Sequence, residues 1–109
     1  QGAVGIECRT GDTRAHNLIM PLNDPVTQTC ILCERSVLAA LDGTCHTPIA
    51  AHARIEDGCL HLMARVLRPD GSEMHETQRE GALEEAEILG NDAGMELRYL
   101  AGPDFFAEF

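Results

Sequence analysis

The hydrophobic pattern of the chain changes from a helical to a strand period within Leu41-Asp42-Gly43-Thr44-Cys45-His46-Thr47-Pro48-Ile49-Ala50-Ala51-His52-Ala53. Gly43 can take the left-handed conformation that ends a helix. Pro48 fixes its own φ angle and disfavours helix at the residue before it. Cys45 lies between these two residues, so the segment predicts a thiol on a loop held at both ends. From spacing alone, a buried loop cysteine and a thiol presented to a ligand are equally compatible with the pattern.

A long amphipathic helix is predicted before this loop. Asp24 is a good N-cap, and Pro25 suits the first helical position. Apolar residues then recur at spacings of three and four, which places them on one face. These residues are Val26, Cys30, Ile31, Cys33, Val37, Leu38 and Leu41. Glu34 and Arg35 fall outside this stripe, and Gly43 is the predicted end of the helix.

Three strands are predicted after the loop, over residues 49–55, 60–67 and 72–80. Turn signals at Glu56-Asp57-Gly58 and Pro69-Asp70-Gly71 join them into an antiparallel meander. A second helix follows Gly81, and Gly90 suggests a break in it because glycine weakens a helix. A last helix is predicted to begin at Phe105. The order predicts an α+β fold in which helices cover one face of a three-stranded antiparallel sheet.

The residues before the first long helix are predicted to be a strand over 1–9, a short helix over 14–20 and a break at Pro21. A single strand needs a partner, which we expect in another part of a longer chain. We therefore expect residues 1–20 to be the terminal strand and hinge of upstream domains. Residues 21–109 are expected to form a C-terminal α+β domain, and the whole sequence is expected to be a fragment.

The composition narrows the classes of function. The chain has 109 residues, enough for one core, and its formal charge of -10 argues against a nucleic-acid or anionic-membrane surface. The sequence contains no apolar run as long as a membrane span. Five cysteines, an odd number, fit a reducing compartment better than a disulfide framework, so we predict a cytoplasmic location.

The cysteines and histidines give weak site signals. Cys30 and Cys33 form a C-x-x-C in the second turn of a helix, where core packing is the simplest explanation, and a zinc site lacks a second ligand pair. No metal site is therefore predicted. Cys45 could act as a nucleophile with His46 or His52 as its base, if these groups meet in space. We find no pair of carboxylates placed for acid–base work and predict no catalytic residue within this chain.

Three blocks together resemble the porphobilinogen deaminase family, whose enzymes are also called hydroxymethylbilane synthases. They are Gln1-Gly2-Ala3-Val4-Gly5-Ile6-Glu7-Cys8-Arg9, the pair Glu34-Arg35, and the segment of residues 41–53. Their order and spacing match, and the likeness continues through the predicted strands and the following helix. The resemblance is to the C-terminal portion of the family, including the domain that carries the cofactor.

The resemblance implies a role for Cys45 as the thioether attachment site of a dipyrromethane cofactor. It implies a transferase of porphyrin, tetrapyrrole and haem biosynthesis, which joins four porphobilinogen molecules into hydroxymethylbilane and releases ammonia. Gln1 and Gly2 match a segment that lines the cofactor in the family. The family's catalytic aspartate and most of its arginines lie upstream of the first block, so we expect this sequence alone to be inactive and to stay without its cofactor.

Two other functions stay open at the level of the sequence. One is a non-enzymatic α+β interaction or dimerisation module that carries reduced thiols. The other is a small thiol enzyme that uses Cys45 and a histidine. We expect the full-length protein to be a monomer without nucleic-acid or membrane partners, and the fragment to self-associate through its exposed first strand.

Overall fold

A computed structural model of the chain describes residues 3–41, 48–102 and 105. Its helices are α1 (Thr13–Ile19), α2 (Pro25–Ala40) and α3 (Ala86–Ala101), with single 3-10 turns at Met20–Leu22 and Leu83–Glu85. Its strands are β1 (Ile49–Glu56), β2 (Cys59–Leu67) and β3 (Met74–Gly81). The strands pair antiparallel in the order β1-β2-β3, and α2 and α3 pack on the sheet. The predicted α+β fold is confirmed.

Helix α2 begins where the sequence predicts. The Asp24 carboxylate accepts hydrogen bonds from the backbone N–H of Val26 at 3.1 Å and from the Thr27 hydroxyl at 2.8 Å. The first of these bonds satisfies a backbone donor that the first turn of a helix leaves without an intrahelical partner, and the second adds a side-chain contact to the cap. The helix ends at Ala40 with Leu41 as its C-cap, and the predicted stop at Gly43 lies outside the described residues.

Among the described residues, the helices cover one face of the sheet and leave the other uncovered. On β2, Leu60, Leu62, Ala64 and Val66 are buried, and the residues between them are half-buried. This alternation follows from the two-residue period of a strand. Between β1 and β2, Asp57 and Gly58 both have positive φ angles, 53° and 73°, which is the geometry of a type I′ hairpin turn. The strand and turn predictions for this region are confirmed within two residues.

Helix α3 is continuous through Gly90, so the prediction of a break there is wrong. The two buried glycines of α3 let it approach α2 closely. A Cβ atom at Gly90 would lie 2.2 Å from the carbonyl oxygen of Cys33, and one at Gly94 would lie 2.5 Å from the Cβ of Ala40. Glycine is a poor helix former, but at these two positions only glycine leaves room for the backbone of α2.

The N-terminal part differs from its prediction in one respect. Residues 3–9 are exposed and form no strand, because none of the three strands of the sheet pairs with them. A strand without a hydrogen-bonding neighbour is not stable in water. The short helix predicted over 14–20 is confirmed as α1, and the chain leaves it through the 3-10 turn that contains Pro21. The division into residues 1–20 and 21–109 stays a prediction.

Phe105 closes one end of the core. Its side chain is fully buried, with the Arg68 guanidinium 4.9 Å from its ring centroid and the His75 ring edge-on at 5.8 Å. Arg68 and His75 belong to the segment that runs from the end of β2 into β3, and each contacts the Glu73 carboxylate. The buried ring thus joins Phe105, which lies beyond the end of α3, to the end of the sheet where β2 runs into β3.

Candidate functional site

The three residues predicted to hold the cofactor, Cys45, Gln1 and Gly2, lie outside the described residues. The structure does describe both sides of the segment that contains Cys45. Leu41 ends the helical side, and Pro48 begins the strand side. The described part of the candidate site consists of the contacts that hold these two sides, which are the end of α2 and the start of β1.

The end of α2 is held by a contact from α3. The Arg98 guanidinium donates a hydrogen bond to the carbonyl oxygen of Ala40 at 3.2 Å, across 58 residues of sequence. Carbonyl groups in the last turn of a helix lack intrahelical partners and carry partial negative charge, so a cation stabilises them. The next residue, Leu41, is buried, and its N–H donates to the Val37 carbonyl at 3.1 Å.

The start of β1 is held by two contacts. The Pro48 carbonyl accepts a hydrogen bond from the N–H of Leu67 at 3.0 Å, which extends the β1–β2 ladder by one residue. Further along β1, the N–H of Ala53 donates to the Glu34 carboxylate of α2 at 2.8 Å. Glu34 therefore joins the helix that leads into residues 42–47 to the strand that leads out of them.

We call these six residues the loop frame: Glu34, Ala40, Pro48, Ala53, Leu67 and Arg98. Each of the three bonds links groups distant in sequence, and two of them use a charged side chain. Hydrogen bonds with one charged partner are roughly twice as strong as neutral ones. The loop frame therefore holds Ala40 and Pro48, which are described residues near the two ends of the segment that contains Cys45.

Three of the four described cysteines are buried or half-buried, and the fourth is exposed. Cys33 is fully buried, and this burial, reinforced by Cys30 and Glu34, raises the pKa of its thiol to about 11. Burial and the Glu34 carboxylate also raise the pKa of Cys30. Cys59 donates from its thiol to the carbonyl of Gly81 at 3.5 Å, whereas Cys8 is exposed. The core assignment of the C-x-x-C is confirmed, because Cys33 lies in the hydrophobic core and Cys30 packs against it.

The described histidines lie on the surface or pair with carboxylates. His16 and His52 are exposed, and His52 projects from β1. His61 meets Glu80 at 2.8 Å, and His75 meets Glu73 at 2.5 Å. Within residues 3–41, 48–102 and 105, no three metal-binding side chains come together. Cys45 and His46 lie outside the described residues, so a contact of Cys45 with His46 or His52 stays a prediction.

Comparison with known proteins identifies the family of this chain. The sequence model described as "Porphobilinogen deaminase, C-terminal domain" matches residues 28–99, which include most of α2, all three strands and most of α3. The chain belongs to the porphobilinogen deaminase C-terminal domain family. The porphobilinogen deaminases of Nitrobacter winogradskyi and Nitrobacter hamburgensis are 44% and 43% identical to it over all 109 residues. The chain spans about a third (34%) of the length of each.

The resemblance of the sequence to porphobilinogen deaminases is thus confirmed, and the matched region contains all of the loop frame. Sequence patterns alone missed two of its members. Arg98 gave no signal, because its partner is a backbone carbonyl far away in the chain. Glu34 stood out only as part of a family motif, because its partner is the backbone N–H of Ala53 on β1, 19 residues away.

Two hollows lie elsewhere on this deaminase domain. One of about 700 Å³ opens on the uncovered face of the sheet, between His52, His61 and Glu80. Another of about 460 Å³ lies between residues 3–6 and the outer face of α2, with Leu22 and Leu32 in its wall. Neither contains a member of the loop frame. Among the described residues, no helix is both long and apolar enough to cross a bilayer.

Proposed function

We propose that the chain is the cofactor-carrying C-terminal part of a hydroxymethylbilane synthase, a transferase of porphyrin, tetrapyrrole and haem biosynthesis. The whole enzyme would join four porphobilinogen molecules into hydroxymethylbilane and release four molecules of ammonia. The observation that carries this proposal is the family match over residues 28–99, with relatives named porphobilinogen deaminase aligned along the whole chain. The proposal also includes a cytoplasmic location and a monomeric full-length enzyme.

Cys45 is the proposed attachment site of a dipyrromethane cofactor. The choice rests on the family resemblance of residues 41–53, and three described cysteines are less suited to the role: Cys30 and Cys33 have raised pKa values, and the Cys59 thiol is hydrogen-bonded between strands. A thioether suits a permanent anchor because it resists hydrolysis and thiol exchange. When bound, the cofactor supplies the nucleophilic pyrrole carbon that starts each chain.

In this proposal, the protein positions the primer for the reaction. The loop frame holds both sides of the segment that contains Cys45, and a tethered primer attacks as an intramolecular group, which lowers the entropic part of the barrier. Gln1 and Gly2 are proposed to line the cofactor. The acid–base aspartate is proposed to lie in another part of the whole enzyme, so the 109-residue chain alone is predicted to be inactive.

The test uses the full-length enzyme with Cys45→Ala and, as a matched control, Cys8→Ala at an exposed cysteine. We expect Cys45→Ala to lack the mass of one dipyrromethane unit and to lose turnover of porphobilinogen, and Cys8→Ala to keep both. Intact mass spectrometry and the colour reaction of pyrroles with acidic dimethylaminobenzaldehyde measure these results. Full turnover by Cys45→Ala would contradict the assigned anchor, and absence of turnover in the unaltered enzyme would contradict the proposed function.

A second measurement tests the chain of 109 residues alone. We expect its intact mass after exposure to porphobilinogen to be that of the bare polypeptide, because the proposed acid–base group is elsewhere in the enzyme. An adduct of one dipyrromethane unit on Cys45 would contradict this expectation while supporting Cys45 as the anchor. Mapping the adduct by peptide mass spectrometry distinguishes Cys45 from the exposed Cys8.

A further inference from the structure

Two imidazoles line the larger hollow, which opens on the uncovered face of the sheet. His52 of β1 and His61 of β2 both lie in the wall of this space of about 700 Å³. His52 pairs with Met63 in the antiparallel register, two positions from His61, so the two histidines are diagonal neighbours on one face. Backbones at diagonal positions are roughly 7–8 Å apart, which lets two imidazoles reach one ion between them. The sequence predicts no metal site here, because only the register of the hairpin brings the two histidines together.

Both rings have a nitrogen atom that can bind a ligand. His61 contacts the Glu80 carboxylate through Nδ1 at 2.8 Å, which leaves Nε2 as its ligating atom. Among residues 3–41, 48–102 and 105, no hydrogen bond or ion pair engages the ring of His52, which is exposed. Histidines that bind metals characteristically donate their second ring N–H to a carboxylate, which fixes the tautomer and orients the ring. The contact between His61 and Glu80 has this form.

The charges around the hollow favour a cation over an anion. The guanidinium of Arg54 pairs with the Glu56 carboxylate at 3.1 Å, and Arg79 is held by two carboxylates of α3. These arginines are therefore already neutralised, whereas Glu80 contacts an imidazole and adds negative charge beside the ring. The formal charge of the chain, -10, acts in the same direction. A cation that enters the hollow is thus attracted and displaces no ion pair.

The kind of ligand follows from the number and type of the donor atoms. Imidazole suits Zn²⁺, Cu²⁺ and Ni²⁺, and tetragonal sites of nitrogen and oxygen donors are typical of Cu²⁺ and Ni²⁺. A structural zinc site needs four protein ligands, and in the described part of the chain no three such side chains come together. The hollow is open to solvent, so water can complete the coordination of an ion held by two imidazoles.

We infer that His52 and His61 form a two-histidine site for Ni²⁺ or Cu²⁺, in which Glu80 orients the His61 ring. The hollow contains no member of the loop frame, so this site is separate from the proposed cofactor site and does not rest on the proposed function. A bound ion joins β1 to β2 on the uncovered face. Because it binds the folded chain, it also raises the stability of the fold.

The test measures Ni²⁺ binding to the chain of 109 residues, without an affinity tag, by isothermal titration calorimetry. Ni²⁺ is the probe because it does not oxidise thiols as Cu²⁺ does, and accessible thiols are first blocked with iodoacetamide. The variants are His52→Ala, His61→Ala and Glu80→Gln. The matched control is His16→Ala, which removes an exposed histidine from α1. A thermal melt without metal reports whether each variant is folded.

We expect the unaltered chain to bind about one Ni²⁺ ion through this site. His52→Ala and His61→Ala should each weaken binding at least about tenfold, because a single imidazole remains. Glu80→Gln should weaken it about tenfold through loss of the group that orients the ring. His16→Ala should bind as the unaltered chain does. Ni²⁺ should raise the melting temperature of the unaltered chain and leave that of the double variant of His52 and His61 unchanged.

A second measurement locates the ion. Bound Ni²⁺ is paramagnetic, so amide signals of β1 and β2 around Met63 should broaden first in nuclear magnetic resonance spectra, while those of α1 persist. The inference is overturned if the unaltered chain binds no Ni²⁺ at millimolar concentrations, or if His16→Ala weakens binding as much as His52→Ala does. Broadening centred outside β1 and β2 also overturns it. If His61→Ala does not fold, His61→Gln replaces it, because glutamine keeps a polar side chain without an imidazole.

Discussion

At the scale of the residue, the buried glycines of α3 show how one atom decides packing. The sequence suggests a helix break at Gly90, since propensity is the only information that a single sequence gives about that position. The neighbour that explains the glycine is the carbonyl of Cys33, 57 positions earlier in the numbering, at 2.2 Å from where a Cβ would stand. No local pattern can reveal a requirement that another helix imposes.

Gly90→Ala should therefore destabilise the chain, although alanine is the better helix former. We expect the free energy of unfolding to fall by about 2 kcal/mol, because overpacking against the α2 backbone outweighs a gain in propensity of about 1 kcal/mol. Urea denaturation followed by circular dichroism measures this change. Gly5→Ala, where a Cβ would meet nothing within 4 Å, is the control and should be nearly neutral. Stabilisation by Gly90→Ala would contradict the observed approach of the helices.

The thiols should differ in reactivity according to burial. Cys33, with its pKa raised to about 11, should react with iodoacetamide at pH 8 about a hundredfold more slowly than the exposed Cys8. The reason is that only the thiolate attacks, and burial disfavours it. Peptide mass spectrometry after timed quenching measures both rates, and the difference should vanish in 8 M urea, where about equal exposure is expected. Equal rates in the folded chain would contradict the core position of Cys33.

At the scale of the element, charged side chains join β3 to α3. The Arg79 guanidinium contacts Asp92 at 2.8 Å and Glu96 at 2.5 Å, and the Thr77 hydroxyl donates to the same Glu96 carboxylate. Thr77 is buried, whereas β3 otherwise carries mostly exposed polar residues. Side-chain ion pairs and hydrogen bonds thus hold this polar strand against α3, whereas apolar side chains hold β2 against the helices.

These contacts predict a pH-dependent contribution from Glu96. The hydrogen bond from Thr77, followed by the one from Arg79, holds the pKa of the Glu96 carboxyl below its ordinary value. A lowered folded-state pKa gives stability that is present above the unfolded-state pKa and is lost as the pH falls through the folded-state pKa. Glu96→Gln should therefore be less stable than the unaltered chain at pH 7, and the difference should shrink below about pH 4.

Denaturant titrations at several pH values measure this difference, with Glu87→Gln as a control at an exposed site on the same helix. A gap between Glu96→Gln and the unaltered chain that stays constant down to the lowest pH of the folded state would contradict the assigned contacts. If Glu87→Gln loses as much stability as Glu96→Gln, the effect comes from the change in net charge and not from the contacts of Glu96.

The elements themselves were predictable where local chemistry decides them. The Asp24 cap, the Asp57-Gly58 turn and the alternation along β2 are contacts between near neighbours in sequence, and the structure confirms each of them. The failed strand over residues 3–9 has a long-range cause, because an apolar, β-prone segment becomes a strand only beside another strand. The partners of Glu34 and Arg98 in the loop frame were hidden for the same reason, because they lie 19 and 58 residues away.

At the scale of the whole molecule, apolar side chains remain outside the core on the N-terminal side. Val4 is 92% exposed and Ile6 is 54% exposed, and both line the hollow that has Leu22 and Leu32 in its wall. In water, such side chains gain free energy when another surface covers them. The sequence-based prediction that the chain alone self-associates through this end is therefore kept, although residues 3–9 form no strand.

The prediction is tested by sedimentation of the 109-residue chain over a range of concentrations. We expect a monomer–oligomer equilibrium, and we expect Val4→Asp combined with Ile6→Asp to weaken association at least about tenfold. Ile88→Asp, at an exposed apolar residue on α3, is the control and should leave the equilibrium unchanged. A monomer at every concentration, or equal weakening by Ile88→Asp, would contradict association through residues 3–9.

The contact between Arg98 and Ala40 also bears on the order of events during synthesis. The β1–β2–β3 meander uses neighbouring strands, and Glu34 reaches Ala53 after 19 residues, so these contacts can form early. Arg98 must wait for 58 residues to be added after Ala40. On the ribosome, the bond between Glu34 and Ala53 can therefore form well before α3 emerges to secure the end of α2. The loop frame is therefore completed only near the end of translation of this domain.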